Sequence, residues 1–211
     1  MRYSLVIFDL DGTLADSFPW FRRNLNDVAD RFGFRRVVES DVEALRHAGT
    51  RDILDRLEVP LWKVPMIARH MRRLKTEHIA QIALFNGVDT MLRTLADAGL
   101  CLALVSSDSE ANVRRQLGEA VALFGDFDCG AGIFGKAAKF RRILKRAAVD
   151  PAQVIAIGDE TRDIEAARAT RIACGVVTWG YAAPNALRAQ GPDLVFETMD
   201  DIAQALVVRD R

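Results

Sequence analysis

Five or six short apolar runs punctuate this chain, and each is too short to be a helix that spans a core. They fall at 5–8, 100–105, weakly near 127–129, then at 154–157, 173–178 and 194–196, bounded by Gly, Asp, Ser or Pro. Helical patterns separate them. Phe140, Ile143, Leu144 and Ala147 fall at i, i+3, i+4 and i+7, one stripe of a helix. Residues 159–170 and 88–98 also read as helices, the second closed by Gly99. Strand–helix alternation of this kind predicts an α/β fold, a doubly wound parallel sheet with helices on both faces.

One segment breaks the rhythm. From about 17 to 84 the chain offers no good strand, only helical stretches broken at Gly33, Gly49 and Pro60. The last of them, near 62–84, carries Ile67, Met71, Leu74 and Ile82 along one side. The expected organisation is a small all-helical domain, 17–84, inserted after the first strand of a sheet domain built from 1–16 and 85–211. Half of the 211 residues are apolar, enough to bury a substantial core.

Charge excludes some functions. Lys+Arg and Asp+Glu both number 29, so there is no cation excess for binding a nucleic acid. Cys101, Cys129 and Cys174 form no close pair and no metal-ligand spacing, which suits a reducing compartment. The first apolar run is stopped by Asp9 and does not read as a signal peptide, and no run approaches a membrane span. A cytoplasmic protein without nucleic-acid or membrane partners, monomeric or homodimeric, is expected.

The chemistry gathers where the runs end. Asp9-Leu10-Asp11-Gly12-Thr13 follows the first, and residues two apart in extended chain point the same way, so Asp9 and Asp11 project together. Open parallel sheets place ligands at this end of their strands. Two adjacent carboxylates repel unless a cation lies between them or one holds a proton; Asp-Gly is also a common turn pair. The second run leads into Ser106 and Ser107 ahead of a helix, an anion site or an ordinary N-cap. The fourth ends in Gly158-Asp159-Glu160-Thr161-Arg162-Asp163, with Asp159 and Asp163 on one side of a helix's first turn, where the helix dipole favours acids in any case. Lys136 opens the helix before that run, a position the dipole disfavours. The chain has 24 Arg and only 5 Lys, so each Lys is worth placing.

Asp-Leu-Asp-Gly-Thr-Leu at 9–14, Ser106 after the second run, Lys136 ahead of the fourth and Gly-Asp-x-x-x-Asp at 158–163 occur in order across nearly the whole sheet domain. Together they resemble the haloacid dehalogenase superfamily. The helical insertion resembles its C1-type cap, and Trp179-Gly180-Tyr181 resembles a stretch of phosphoglycolate-phosphatase-like members. The resemblance implies a Mg²⁺-dependent phosphomonoesterase for a small phosphorylated metabolite, with phosphoglycolate a candidate. In that scheme Asp9 is the nucleophile that forms an aspartyl-phosphate, and Asp11 is the general acid and base. Asp9, Asp11 through its main-chain carbonyl, Asp159 and, through a water, Asp163 serve the metal. Ser106, Ser107 and Lys136 hold the phosphoryl group. The chain departs from the family where Lys136 is followed by Ala137 rather than Pro, with Lys139 three residues on, and where Ser107 stands for a frequent Asn. Lys136 is the preferred lysine because it lies nearer the strand end, and Glu160 is expected to be solvated.

Within the insertion, Arg51 after Gly49 is a candidate contact for an anionic substrate tail. His70, His78, Trp20 and Trp62 are expected to pack within the helical domain, and Arg72-Arg73 and Arg141-Arg142 to be solvated helix faces. Rival readings are a sugar-phosphate mutase, or a phosphonate hydrolase using Lys63 or Lys75 as a cap lysine. A phospho-aspartate receiver would carry its acid on a later strand and need no insertion; a silent binding relative would not need the full acid set.

Overall fold

The computed structural model describes residues 3–130 and 135–207. These form six strands, β1 (Leu5–Phe8), β2 (Cys101–Val105), β3 (Asp126–Asp128), β4 (Val154–Gly158), β5 (Ala173–Val177) and β6 (Leu194–Phe196), in one parallel sheet ordered β3-β2-β1-β4-β5-β6. The central strands are apolar throughout because both faces are covered. Val6 and Phe8 of β1 join Leu102, Leu104, Ile155 and Ile157 on one face; Leu5 and Ile7 join Ala103, Val105, Val154 and Ala156 on the other.

Four helices, α1 (Phe18–Phe32), α2 (Glu39–Arg46), α3 (Thr50–Arg56) and α4 (Val64–His78), follow β1 and precede α5 (Val88–Asp97). The rest are α6 (Glu110–Leu117), α7 (Lys136–Ala147), α8 (Thr161–Thr170), α9 (Pro184–Ala189) and α10 (Met199–Val207). Met91, Leu92 and Leu95 of α5 and Ile202 and Leu206 of α10 cover the first face; Phe140 and Ile143 of α7, Ile164 and Ala167 of α8 and Leu187 of α9 cover the second. The chain leaves and re-enters the sheet side by side: Asp16 N donates to Ala83 O at 2.9 Å, and Phe85 N to Leu14 O at 2.9 Å. No described helix is long and apolar enough to cross a membrane.

The strand order reverses direction between β1 and β4, so the crevice beyond their C-terminal ends is where this class of sheet receives a ligand. Register fixes what meets there. Phe8 pairs with Leu104 on one side and Ile157 on the other, which sets Asp9 between the chain ends that carry Ser106 and Asp159.

Several expectations need correction. The weak strand is 126–128 rather than 127–129, and its two aspartates are held by bidentate pairs: Arg142 to Asp128 at 2.7 and 2.8 Å, Arg146 to Asp126 at 2.8 and 3.0 Å. Arg142 is exposed, as expected, and is also a strut between α7 and β3. The last helix of the insertion stops at His78 and gives way to a 3-10 turn over Ile79–Gln81. Trp62 is 69% exposed, lying against the Lys63 ammonium instead of in a core. Trp20 is buried and donates to His78 Nδ1 at 3.1 Å, while His70 rests on the Phe32 ring.

Candidate active site

Asp9, Asp159 and Asp163 are buried, and each offers a carboxylate oxygen within 4.8 Å of the others. Each is held differently. Asp159 Oδ1 accepts from Thr13 Oγ1 at 2.9 Å, and its Oδ2 from the Tyr181 amide at 2.8 Å. Asp163 Oδ2 accepts from the Asp159 and Glu160 amides at 3.1 and 2.9 Å, closing the first turn of α8, and its other oxygen meets Lys136. Lys136 Nζ also lies 2.7 Å from Asp9 Oδ2. One ammonium thus spans two of the three acids.

Burial and mutual repulsion govern the charges. Asp159 is pushed well above the ordinary carboxylate range, by burial first and then by Glu160, Asp9 and Asp163. Burial also raises Asp9, with Lys136 opposing. Burial alone would push the Lys136 ammonium down, but Asp163 and Asp9 outweigh it and hold it protonated. Three acids facing one ammonium leave an excess of negative charge, and their donor set of carboxylate oxygens is the kind that a hard divalent cation such as Mg²⁺ takes.

Two glycines let the acids approach. A Cβ on Gly12, whose φ is +78°, would lie 2.2 Å from Asp159 Oδ2, and one on Gly180 would lie 2.3 Å from Asp159 Cβ. Gly180→Ala is therefore expected to displace Asp159, costing about 1–3 kcal/mol of stability and shifting any Mg²⁺ titration to higher concentration. Thermal melts with and without Mg²⁺ check both effects; an unchanged melt would mean that the 179–181 loop yields instead.

The other predicted residues divide. Ser106 is buried, and its Oγ accepts from the Asp108 amide at 3.0 Å. Ser107, Lys136 and Lys139 line a small cleft of about 10 Å³ with Asp9, Ser106 and Arg162. Lys139 donates to the carbonyls of Ser106 and Gly130, so it braces the loop after β2 rather than reaching the acids. Asp11 is turned away from the three-acid cluster: its Oδ1 accepts from Lys75 Nζ at 2.6 Å. Arg51 is exposed on α3 and does not line the cavity beside the site. Glu160 is half-buried against Arg162, 2.6 Å from its guanidinium, not solvated.

Four participants lay outside the predicted set or at its edge. Lys75 on α4 is buried and pairs with Asp108 Oδ2 at 3.0 Å as well as with Asp11. Arg72, one turn earlier, is half-buried and donates to the Ser107 carbonyl at 3.2 Å, so it is not a freely solvated charge. Arg46 of α2 donates to the Tyr181 and Gly180 carbonyls at 3.1 and 3.3 Å. Arg162 lines both the small cleft and the larger cavity. The helical segment is thus fastened to the sheet on two sides of the acids. The one signal in the sequence was the scarcity of lysine: of the five, Lys75 and Lys139 are buried and Lys136 is largely covered.

Comparison with known proteins identifies the family of the chain. The model of the family described as haloacid dehalogenase-like hydrolase matches residues 6–177. A phosphoglycolate phosphatase of Synechococcus elongatus is 34% identical over 203 residues, covering 95% of this chain and 96% of its own. One from Agrobacterium fabrum is 27% identical, covering 96% and 91%. Among solved structures, a haloacid dehalogenase-like hydrolase from Streptococcus pneumoniae superposes with a TM-score of 0.80 at 19% identity, covering 97% and 98%.

Proposed function

Because the chain belongs to the haloacid dehalogenase-like hydrolase family and is a phosphatase, we propose that it cleaves a phosphomonoester of a small metabolite through an aspartyl-phosphate on Asp9, with Mg²⁺ as cofactor. The observation that carries this reading is the convergence of Asp9, Asp159 and Asp163 within 4.8 Å beside Lys136. Asp9 is the nucleophile: its carboxylate attacks phosphorus as the bond to the leaving oxygen breaks. Asp11 stands two residues on; swung from Lys75 toward the ester, it gives a proton to the departing alkoxide and then takes one from the water that cleaves the acyl phosphate. Lys136 and the loop of Ser106 and Ser107 offset charge on the phosphoryl oxygens. Asp9, Asp159 and Asp163 are the residues that would hold Mg²⁺, which neutralises the repulsion between phosphate and carboxylate when bound. In this reading 17–84 is the cap and 1–16 with 85–211 the catalytic core, working in the cytoplasm.

The phosphonate-hydrolase rival needs a neutral cap amine as nucleophile. Lys75 does not suit that role, because Asp11 and Asp108 overcome its burial and hold it protonated.

Hydrolysis of p-nitrophenyl phosphate, with phosphoglycolate as the first natural ester to assay, tests the proposal: turnover should require Mg²⁺ and stop with EDTA. Turnover undiminished by EDTA would refute the metal. The pH dependence is also fixed in sign. Asp159 is raised in the folded protein, so its contribution to stability is present below its unfolded value of 3.8 and lost as pH rises through the raised one. Metal-free protein therefore bears a penalty near neutrality that Mg²⁺ relieves. The Mg²⁺ concentration for half-maximal stabilisation should rise, by up to about tenfold per pH unit, as acidification protonates Asp159. Melts at pH 8 and pH 6 across a Mg²⁺ series measure it.

A further inference from the structure

Beyond Asp11 lies a cavity of about 450 Å³, within the range of small-molecule sites. It adjoins the small cleft at Asp9, sharing Ser107 and Arg162 as common wall. At the sheet end stand Asp11, Lys75 and Asp108; the walls supplied by the helical segment include Leu45, Ile53, Leu54, Leu57, Val59 and Ile67. Of those six, only Leu57 and Val59 are fully buried. The others turn inward yet stay partly accessible, so the apolar interior of the insertion is incompletely filled.

Well-packed interiors rarely leave a space of this size, and an apolar one stays ready for apolar matter. Polar side chains in its wall are already engaged: Asn26 with both main-chain groups of Val37, Arg22 with Glu39 at 2.5 Å, Lys75 with Asp11 and Asp108. Arg46 and Arg72, which also line the cavity, spend their hydrogen bonds on the carbonyls of Tyr181, Gly180 and Ser107 at the sheet end, and the six apolar residues of the helical walls offer an anionic tail no partner. A two-carbon acid would leave most of the space empty.

Resting on the phosphatase reading, we infer that the natural substrate is a phosphate monoester of an apolar alcohol, an aliphatic chain or an aromatic ring, whose leaving group occupies this cavity. The order of the parts supports it. With phosphorus at Asp9, the bridging oxygen comes to Asp11, and whatever that oxygen carries extends into the room that Asp11 borders. Asp11 then stands at the junction of a polar compartment and an apolar one.

The experiment compares kcat/KM for ethyl, butyl and hexyl phosphate and for phosphoglycolate, in wild type and in Leu54→Trp and Ile67→Phe, which fill the cavity from α3 and α4. Wild type should gain about fourfold per methylene, about 250-fold over the four methylenes from ethyl to hexyl. Both filled variants should lose that gain while hydrolysing ethyl phosphate within about threefold of wild type. Melting curves establish that each is folded; because they stand on different helices, loss of the gain in either folded variant suffices. A flat series in wild type, or phosphoglycolate outrunning hexyl phosphate, overturns the inference while leaving a phosphatase intact. Failure to hydrolyse any ester, p-nitrophenyl phosphate included, overturns both.

Discussion

Asp9→Asn is expected to lower p-nitrophenyl phosphate hydrolysis by at least about a thousandfold, since loss of a nucleophile removes the route and not merely one contact. The variant separates chemistry from folding because the same change should not harm stability. Asp9 is buried in a cluster whose carboxylates repel, and burial raises it above its ordinary value of 3.8. Its contribution in the folded, metal-free state is therefore favourable only when it is protonated, and is lost as pH rises through the raised value. An isosteric amide removes that cost near neutrality and leaves Lys136 its contact with Asp163. Metal-free melts at pH 7.5 should place the variant at or above wild type, and added Mg²⁺ should stabilise it less. Activity within tenfold of wild type would put the nucleophile elsewhere. A collapsed melting temperature would show that the Asp9–Lys136 pair holds the fold together.

Much of this architecture was legible because burial leaves a simple trace. Strands covered on both faces must be apolar at every position, so 5–8, 154–157 and most of 101–105 stand out, and the stripe of α7 is unmistakable. The edge strand β3 escapes that logic. Its two Asp residues are anchored from outside by Arg142 and Arg146, and a strand held by guanidinium pairs resembles a turn. The acids of β1 and β4 could be matched because each directly follows a strand and register carries it to the crevice. Lys75, Arg72 and Arg46 reach the same place from helices, where nothing in local spacing says which polar side chain faces inward. Trp62 misleads for the opposite reason: size suggests a core, yet its short helical turn lies on the surface. Arg162 and Glu160 pair two residues apart beside the cluster, a contact that only the turn into α8 reveals.

Lys75→Met is expected to destabilise the protein by about 3 kcal/mol and to weaken closure over the site. The ammonium is buried between Asp11 Oδ1 and Asp108 Oδ2, at 2.6 and 3.0 Å. Breaking a buried pair by removing one partner costs more than the pair is worth, because the remaining charge stays desolvated. Asp108 bears most of that cost, since it is buried and Asp11 is partly open to solvent. Its Oδ1 already serves the Ser109 amide and Asn112 Nδ2, so the carboxylate cannot turn away to find water without releasing the start of α6. Lys75→Met/Asp108→Asn should then recover part of the lost stability, as removing both charges leaves no orphan. Alkaline pH supplies a second readout. Asp11 and Asp108 hold Lys75 above its ordinary 10.5 despite burial. Its contribution is thus fully present below that value and lost only as pH climbs through the raised one. Wild type and variant should therefore differ by a constant amount from pH 6 to 9 and converge only in stronger alkali. Convergence near neutrality would mean that Lys75 is not held between these carboxylates in solution. In kinetics, a lysine that fixes Asp11 and fastens α4 should affect kcat through the position of the acid and KM through closure. A variant that lost stability with both parameters unchanged would make Lys75 a strut between helix and sheet and nothing more.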